Sequence, residues 1–338
     1  MKVLCIGSSN IEITCSTDST LTENAHLTIS EKIDCGGGNA GNMAYLLGKW
    51  GVETYIASML GADDEAQKIK KEYETIGVKT DFIETSFDKD TNKRIVVINK
   101  TNKNKTILDL VNGNYLKKYS FNIEPDLIMV DGNDYSASLA AFDKYKNAIS
   151  FLLMSEVNNE SIEIAKYVNY IIINKKSAEI LTNKQVDFND ASTIVNIYNS
   201  IKTRFNKGEI IITLGERGCV YSINGQVKIM PPVRIEVLDT NGAGSVFAGA
   251  FAYSIGRNFG LEKGIAYATI AASFSTSKMT SRMSIPNLTE VSNYYDSKFG
   301  AENNPNNHVA QNNQVNMNTV NVQENQTNVD QAGNNVNS

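Results

Sequence analysis

The chain is poor in the side chains on which most metal and redox chemistry depends. Two of its 338 residues are histidine, His26 and His308, and its four cysteines, Cys5, Cys15, Cys35 and Cys219, lie far apart. Neither set has the spacing of a zinc site, a His-dependent triad or a disulfide framework, which argues against those chemistries. Cys5 falls in an apolar stretch and reads as a buried packing residue. No hydrophobic run approaches the ~18 residues of a membrane span, and nothing resembling a signal peptide precedes Lys2-Val3-Leu4. The expectation is a cytoplasmic protein without a membrane partner. The net charge is mild, −5, with no basic stripe and no interleaved aromatics, so nucleic-acid binding has little support. Proline is scarce, at five residues, while Lys, Asn, Ile and Tyr are plentiful. An AT-rich genome accounts for that bias without appeal to function.

What is present centres on Asp239-Thr240-Asn241-Gly242-Ala243-Gly244-Ser245, followed by Val246-Phe247-Ala248-Gly249. The run 233–238 reads as a strand feeding a glycine turn, and the turn opens a helix of small and apolar residues. Gly242 and Gly244 bracket Ala243, so backbone N–H groups can approach a ligand closely. The helix N-terminus adds its positive dipole end. Together these make an anion hole, suited to charge developing on a transferring phosphoryl group. At its far end such a site wants a carboxylate to take a proton from an attacking hydroxyl, and Ser245 stands there.

The rest of the chain alternates strands and helices. Continuous apolar runs at 126–130, 149–154, 170–173 and 210–213 fit strands of a parallel sheet covered on both faces. Helical stretches lie between them, at 137–147 and 191–205, and a small-residue helix follows at 266–277. This order predicts an α/β doubly wound sheet with ligands at the strands' carboxyl ends. The segments 11–33 and 94–108 alternate loosely, and the second is hinged by Asn102-Lys103-Asn104. They predict a small β lid outside the main sheet. Gly36-Gly37-Gly38-Asn39-Ala40-Gly41-Asn42 opens a helix, which alone is a weak signal shared by dinucleotide proteins and plain turns. From Ala301 the composition turns to Asn, Gln, Val and Thr, predicting a core domain over 1–300 and a disordered tail over 301–338.

The heptad at 239–245 resembles the D-T-x-G-A-G-D signature of the ribokinase-like (pfkB-type) sugar and nucleoside kinases. Six of its seven positions are met, counting the free one. The likeness covers about residues 1–298 and includes the G-G-x-x-x-N-x-A pattern at 37–44, T-L-G-x-x-G at 213–218 and S-I-P at 284–286. It departs at Ala66, where the family's glycine would fall. The resemblance implies a ribokinase-like fold, a lid that covers the sugar and serves as a homodimer contact, and ATP with Mg2+ as cosubstrate. It leaves a monovalent-cation requirement open. By the same resemblance Glu12, Gly37, Gly38 and Asn42 hold the sugar or nucleoside, while Asn174, Thr213, Gly215, Gly218 and Asp239 border the nucleotide. Gly242, Ala243 and Gly244 form the anion hole.

Three chemical positions depart from the family. The catalytic base falls on Ser245, whose hydroxyl has no useful basicity at neutral pH. The sugar-orienting Asp falls on Glu12, one methylene longer. The magnesium-linked Glu of N-x-x-E falls on Ser177, and nearby Glu179 reads as a solvated helix residue. The expectation is a kinase-fold protein that binds nucleotide or sugar with phosphoryl transfer lost or strongly impaired. The alternative is an active ATP-dependent kinase phosphorylating a hydroxymethyl group of a sugar or nucleoside. A third reading is a structural protein assembling through its tail. A dinucleotide-binding oxidoreductase fits poorly, because no G-x-G-x-x-G follows the first strand.

Overall fold

The first strand shows how the main sheet is built. In β1 (Lys2–Ile6) the side chains alternate between two cores. Val3 and Cys5 enter one apolar cluster, Leu4 and Ile6 the other, and all four are fully buried. A strand hydrophobic on both faces is stable only between two helical layers. The structure, a computed structural model, describes residues 1–300; the tail expected at 301–338 lies outside the described residues.

From β1 the chain leaves the main sheet for β2 (Asn10–Thr17) and β3 (Glu31–Gly37), then returns through α1 (Asn39–Lys49), β4 (Glu53–Gly61), α2 (Asp64–Thr75) and β5 (Lys79–Ser86). The hairpin β6 (Lys93–Asn99) and β7 (Lys105–Leu110) follows, with Lys103 in the left-handed region at its turn. Next come β8 (Leu127–Val130), α3 (Tyr135–Lys144), β9 (Ile149–Met154), α4 (Asn159–Ile164), β10 (Tyr170–Asn174), α5 (Lys175–Thr182) and α6 (Ala191–Arg204). The described chain closes with β11 (Glu209–Thr213), β12 (Cys219–Ile223), β13 (Gln226–Met230), α7 (Ala243–Gly256), α8 (Leu261–Ser275) and α9 (Leu288–Phe299).

The main sheet has nine strands in the order β13-β12-β11-β10-β9-β8-β1-β4-β5. It is parallel from β11 to β5, with an antiparallel β11–β12–β13 edge. From β1 the order runs to β4 on one side and to β8 on the other, so a topological switch point lies between β1 and β8. Crevices open outside the carboxyl ends of strands at such points. The lid expected from sequence is a second sheet, β3-β2-β6-β7, in which Glu12 is the register partner of Cys35 on one side and Arg94 on the other.

The strand expected at 233–238 does not form. Pro231-Pro232 end β13 by removing backbone donors, and the chain continues without regular secondary structure. That segment lies on the end of α8, with Val233 N donating to Ser273 Oγ (3.1 Å) and Leu238 N to the Thr276 carbonyl (2.8 Å). Among the described residues no helix is long and apolar enough to cross a membrane.

Candidate active site at the switch point

The turn before α7 is rigid for steric reasons. Gly242 is left-handed at φ 78°, and a Cβ there would lie 2.6 Å from the Ser281 Cβ. Only glycine fits both demands. Asp239 fixes the turn from below, its Oδ1 accepting from Asn241 N (2.8 Å) and its Oδ2 from Thr280 N (3.1 Å). No side chain caps the α7 N-terminus. A Cβ built on Gly244 would meet nothing within 4 Å, so open space faces the first turn, as an anion site requires.

Ser245 is buried behind this turn and tied to α1. Its Oγ donates to Asn39 Oδ1 (3.0 Å), and Asn39 Nδ2 donates to Ser155 Oγ (2.9 Å) at the end of β9. Asn39 N also donates to Ser8 Oγ (3.0 Å), and the Ser8 hydroxyl donates in turn to Asp131 Oδ2. Asp131 follows β8 and therefore stands at the switch point. Its Oδ2 also accepts from Ser8 N (2.9 Å) and Ala40 N (3.1 Å), and its Oδ1 from Asn133 N (3.0 Å). This carboxylate sutures the end of β8 to the loop after β1 and to the start of α1. Gly38 completes the suture with φ 86°, since a Cβ there would meet the Ser8 carbonyl at 2.4 Å.

Under the lid, Glu12 is 1 % exposed and its Oε1 accepts from Ser281 N (3.3 Å). Gly37 packs against it, a Cβ there lying 3.1 Å from the Glu12 Cβ. Asn42 sits nearby, but its Oδ1 accepts from Arg282 Nε (3.3 Å). Arg282 is buried and gathers three elements, β3, α1 and α2. It pairs with Glu72 (2.8 Å), donates to Tyr73 Oη (2.7 Å) and the Gly37 carbonyl (3.2 Å), and stacks over the Tyr73 and Tyr45 rings. Glu72 also accepts from Gly36 N. Asn42 and Gly37 are thus braced by Arg282. Thr280, two residues earlier, holds φ 72°, which is unfavourable for a β-branched residue.

On the other flank Asn174 ends β10 and caps α5, its Oδ1 accepting from Ser177 N (2.8 Å). Asn174 Nδ2 and Ser177 Oγ both donate to the Ser155 carbonyl, at 2.9 and 2.8 Å. This corner offers an amide and a hydroxyl, both engaged, and no carboxylate. Glu179 is not the solvated residue expected: it is 8 % exposed, paired with Lys175 and accepting from Val186 N (2.8 Å). Lys175 one turn earlier on α5 and the 184–186 turn cover it. Among the described residues no three His, Cys, Asp or Glu side chains converge to hold a metal ion. The described residues therefore do not supply a direct metal cage. Thr213 is the register partner of Asn174, while Gly215 and Gly218 form the β11–β12 corner and bond to each other (3.0 Å). The site therefore has two tied clusters, around Ser245 and around Glu12, with the 213–218 corner beside them.

Sequence reasoning missed four residues: Asp131, Arg282, Ser155 and Lys105. Lys105 Nζ, at the start of β7, donates to Thr240 Oγ1 (3.0 Å). An arginine inside an otherwise small and apolar stretch, Ser281-Arg282-Met283-Ser284-Ile285, was a signal for buried pairing. The other three carried none. A cavity of about 430 Å³ opens elsewhere, between α3 and the 115–119 loop, and includes Tyr115, Tyr119, Asp134 and Glu160.

Residues 1–288 match the pfkB family of carbohydrate kinases. The bifunctional ribokinase/ribose-5-phosphate isomerase A of Fructilactobacillus sanfranciscensis is 23% identical over 86% of this chain, which spans only 56% of that relative's length. The ribokinase of Bacillus subtilis is 21% identical, over 86% of this chain and 98% of its own. Among solved structures, ribokinase from Thermotoga maritima superposes with a TM-score of 0.73 at 22% identity, covering 87% of this chain and 99% of that one. Arabidopsis thaliana ribokinase, solved with ribose and ATP, gives 0.72 at 18% identity, covering 86% and 97%. The chain belongs to the pfkB family of carbohydrate kinases.

Proposed function

We propose that this protein binds a nucleotide, with its phosphates at the α7 N-terminus, and a sugar or nucleoside under the second sheet, and that its phosphoryl transfer is strongly impaired. The observation that carries the impairment is the bonding of Ser245. Its proton is donated to the amide oxygen of Asn39, and the route onward ends on the Ser155 hydroxyl. None of these neutral groups takes up a further proton at neutral pH. An attacking hydroxyl at this place finds a hydrogen-bond acceptor but no base. General-base catalysis contributes about 10²–10⁴-fold, and because phosphoryl transfer is largely dissociative its loss leaves a slow reaction rather than none. The nucleotide-binding half is supported by the uncapped, open helix terminus and by the family's fold, since the Arabidopsis relative was solved with ATP.

A second reading is favoured by Glu12. It is a buried carboxylate under the lid, and an active kinase would use it, or a water it holds, as the base. Titration of the full chain with Mg-ATP and with ADP during thermal unfolding tests the binding half, since ligand at 100 times its Kd adds about 2.7 kcal/mol. Assay of ADP release over a panel of pentoses and nucleosides then separates the readings. We expect negligible turnover in the wild type and a gain of about a hundredfold in Ser245→Asp. Wild-type turnover at about 1–100 s⁻¹, the ordinary range for kinases, would establish the second reading instead. No thermal shift at millimolar nucleotide would sink both.

A further inference from the structure

We infer that Arg282 is a positioning residue of the sugar site, fixing which end of the Asn42 amide a bound sugar or nucleoside meets. The inference rests on the sugar-binding half of the reading above. The Arg282 side chain is 2 % exposed and reaches into the glycine-rich segment that ends β3 and opens α1. A Cβ on Gly36 would stand 1.9 Å from Arg282 Nη1, and one on Gly41 2.8 Å from Nη2. Those two glycines therefore make room for an internal guanidinium rather than for a ligand. Gly37 meets a different set of groups: a Cβ there would lie 2.5 Å from Asn10 Oδ1 and 3.4 Å from Glu12 Oε2.

A guanidinium donates and never accepts. With Arg282 Nε donating to it at 3.3 Å, the Asn42 amide must present Oδ1 to the arginine, which leaves Nδ2 on the other side. Nη1 pairs with Glu72, and Nη2 is shared between the Gly37 carbonyl and Tyr73 Oη, so the group cannot swing away from Asn42. Tyr73 is held in turn by Ser9 Oγ. Among the described residues Asn42 Nδ2 and Glu12 Oε2 have no hydrogen-bond partner, and neither is sealed from solvent. A donor and an acceptor left open around Gly37 match a hydroxyl group, which takes one bond and gives the other. Turned over, the amide would set a second acceptor beside the carboxylate, and one hydroxyl could not satisfy both. Arg282 touches no ligand in this arrangement and acts through Asn42.

The test is a double-mutant cycle on binding, read by calorimetry for D-ribose, inosine and ADP. The full chain is compared with Arg282→Lys, Asn42→Ala and the two together, and unliganded melting temperatures control for folding. Lysine keeps the charge beside Glu72 but lacks the fork that orients the amide. We expect Arg282→Lys and Asn42→Ala each to weaken the sugar or nucleoside by about tenfold or more. The double variant should bind within about twofold of Asn42→Ala, and ADP should stay within about twofold throughout. Tyr73→Phe, which leaves Nε on Asn42, should keep sugar affinity within about threefold. Losses that multiply in the double variant, an unchanged sugar affinity in Arg282→Lys, or a parallel fall in ADP affinity would each overturn the inference and leave the arginine a merely structural role. Where Arg282→Lys melts below the assay temperature, Arg282→Gln with Glu72→Gln removes both charges together and takes its place in the cycle. Wild-type protein that binds ADP but neither D-ribose nor inosine overturns the sugar-binding reading and this inference with it.

Discussion

Asp134 illustrates how a single carboxyl is tuned by its surroundings. It is 4 % exposed, and burial pushes its pKa up to about 6, with Asp131 and Glu84 adding repulsion. Hydrogen bonds from Leu116 N (2.7 Å) and Asn133 Nδ2 (3.0 Å) pull it part of the way back. The folded-state value lies above the ordinary 3.8, so the native protein holds this proton more tightly than the unfolded chain. The group's contribution to stability is present below about pH 4 and is lost as pH rises toward about 6. Asp134→Asn keeps an acceptor for Leu116 N and removes the titration. Its stability relative to the wild type is expected to improve by about 2–3 kcal/mol between pH 4 and pH 7. Thermal melts of both proteins at the two pH values measure this, and a difference that stays flat with pH would refute the raised value. Arg282 shows the opposite case, a buried charge that is paired, hydrogen-bonded and stacked, so that the end of β3 at Gly37 and the start of α1 at Asn42 share one anchor.

At the scale of an element, the start of α7 separates stability from function within three residues. Gly242 is left-handed and pressed against Ser281, whereas Gly244 is helical with open space beyond it. Gly242→Ala forces a Cβ into that contact at an unfavourable φ and is expected to destabilise the unliganded protein by about 1–2 kcal/mol or more. Gly244→Ala meets no atom and improves helix propensity, so the unliganded protein should gain up to about 1 kcal/mol. The added methyl nevertheless occupies the space an anion needs, and the thermal shift caused by Mg-ATP should shrink. Melts of both variants with and without nucleotide check the pair. A Gly244→Ala protein that keeps its full nucleotide shift would place the phosphates elsewhere. The neighbouring Thr280, at φ 72°, is held in place by bonds from its N–H to Asp239 and from Met283 N to its hydroxyl.

For the molecule as a whole, the two apolar clusters of the described residues run from Met1 to Phe299. One lies between the main sheet and α1, α2, α7, α8 and α9, the other between the sheet and α3 to α6. A chain ending at Gly300 keeps every residue of both clusters and is expected to melt within about 1 °C of the full chain. Its mass in solution is expected to be unchanged as well. A loss of several degrees, or a smaller assembly, would show that the Asn/Gln-rich segment contributes to folding or association.

The sequence by itself determined the sheet and the loops that crown it. Runs such as Ile171-Ile172-Ile173 and Ile210-Ile211-Ile212 are apolar at every position, which only a doubly covered strand tolerates. The glycine turns at 36–38 and 242–244 mark where backbone must bend left or stand open, and those demands are local. The lid hairpin was legible for the same reason. The strand expected at 233–238 was not, because its apolar pattern says nothing about whether a partner edge is within reach, and Pro231-Pro232 carried it past one. What only the tertiary structure decided are the meetings of distant residues: Ser8 with Asp131, Ser245 with Asn39, Arg282 with Glu72 and Lys105 with Thr240. Each depends on strand order, on which side of β1 the chain returns, and on how the second sheet folds over the first. Period and composition describe one segment at a time, whereas these contacts exist only once segments more than a hundred residues apart share a crevice.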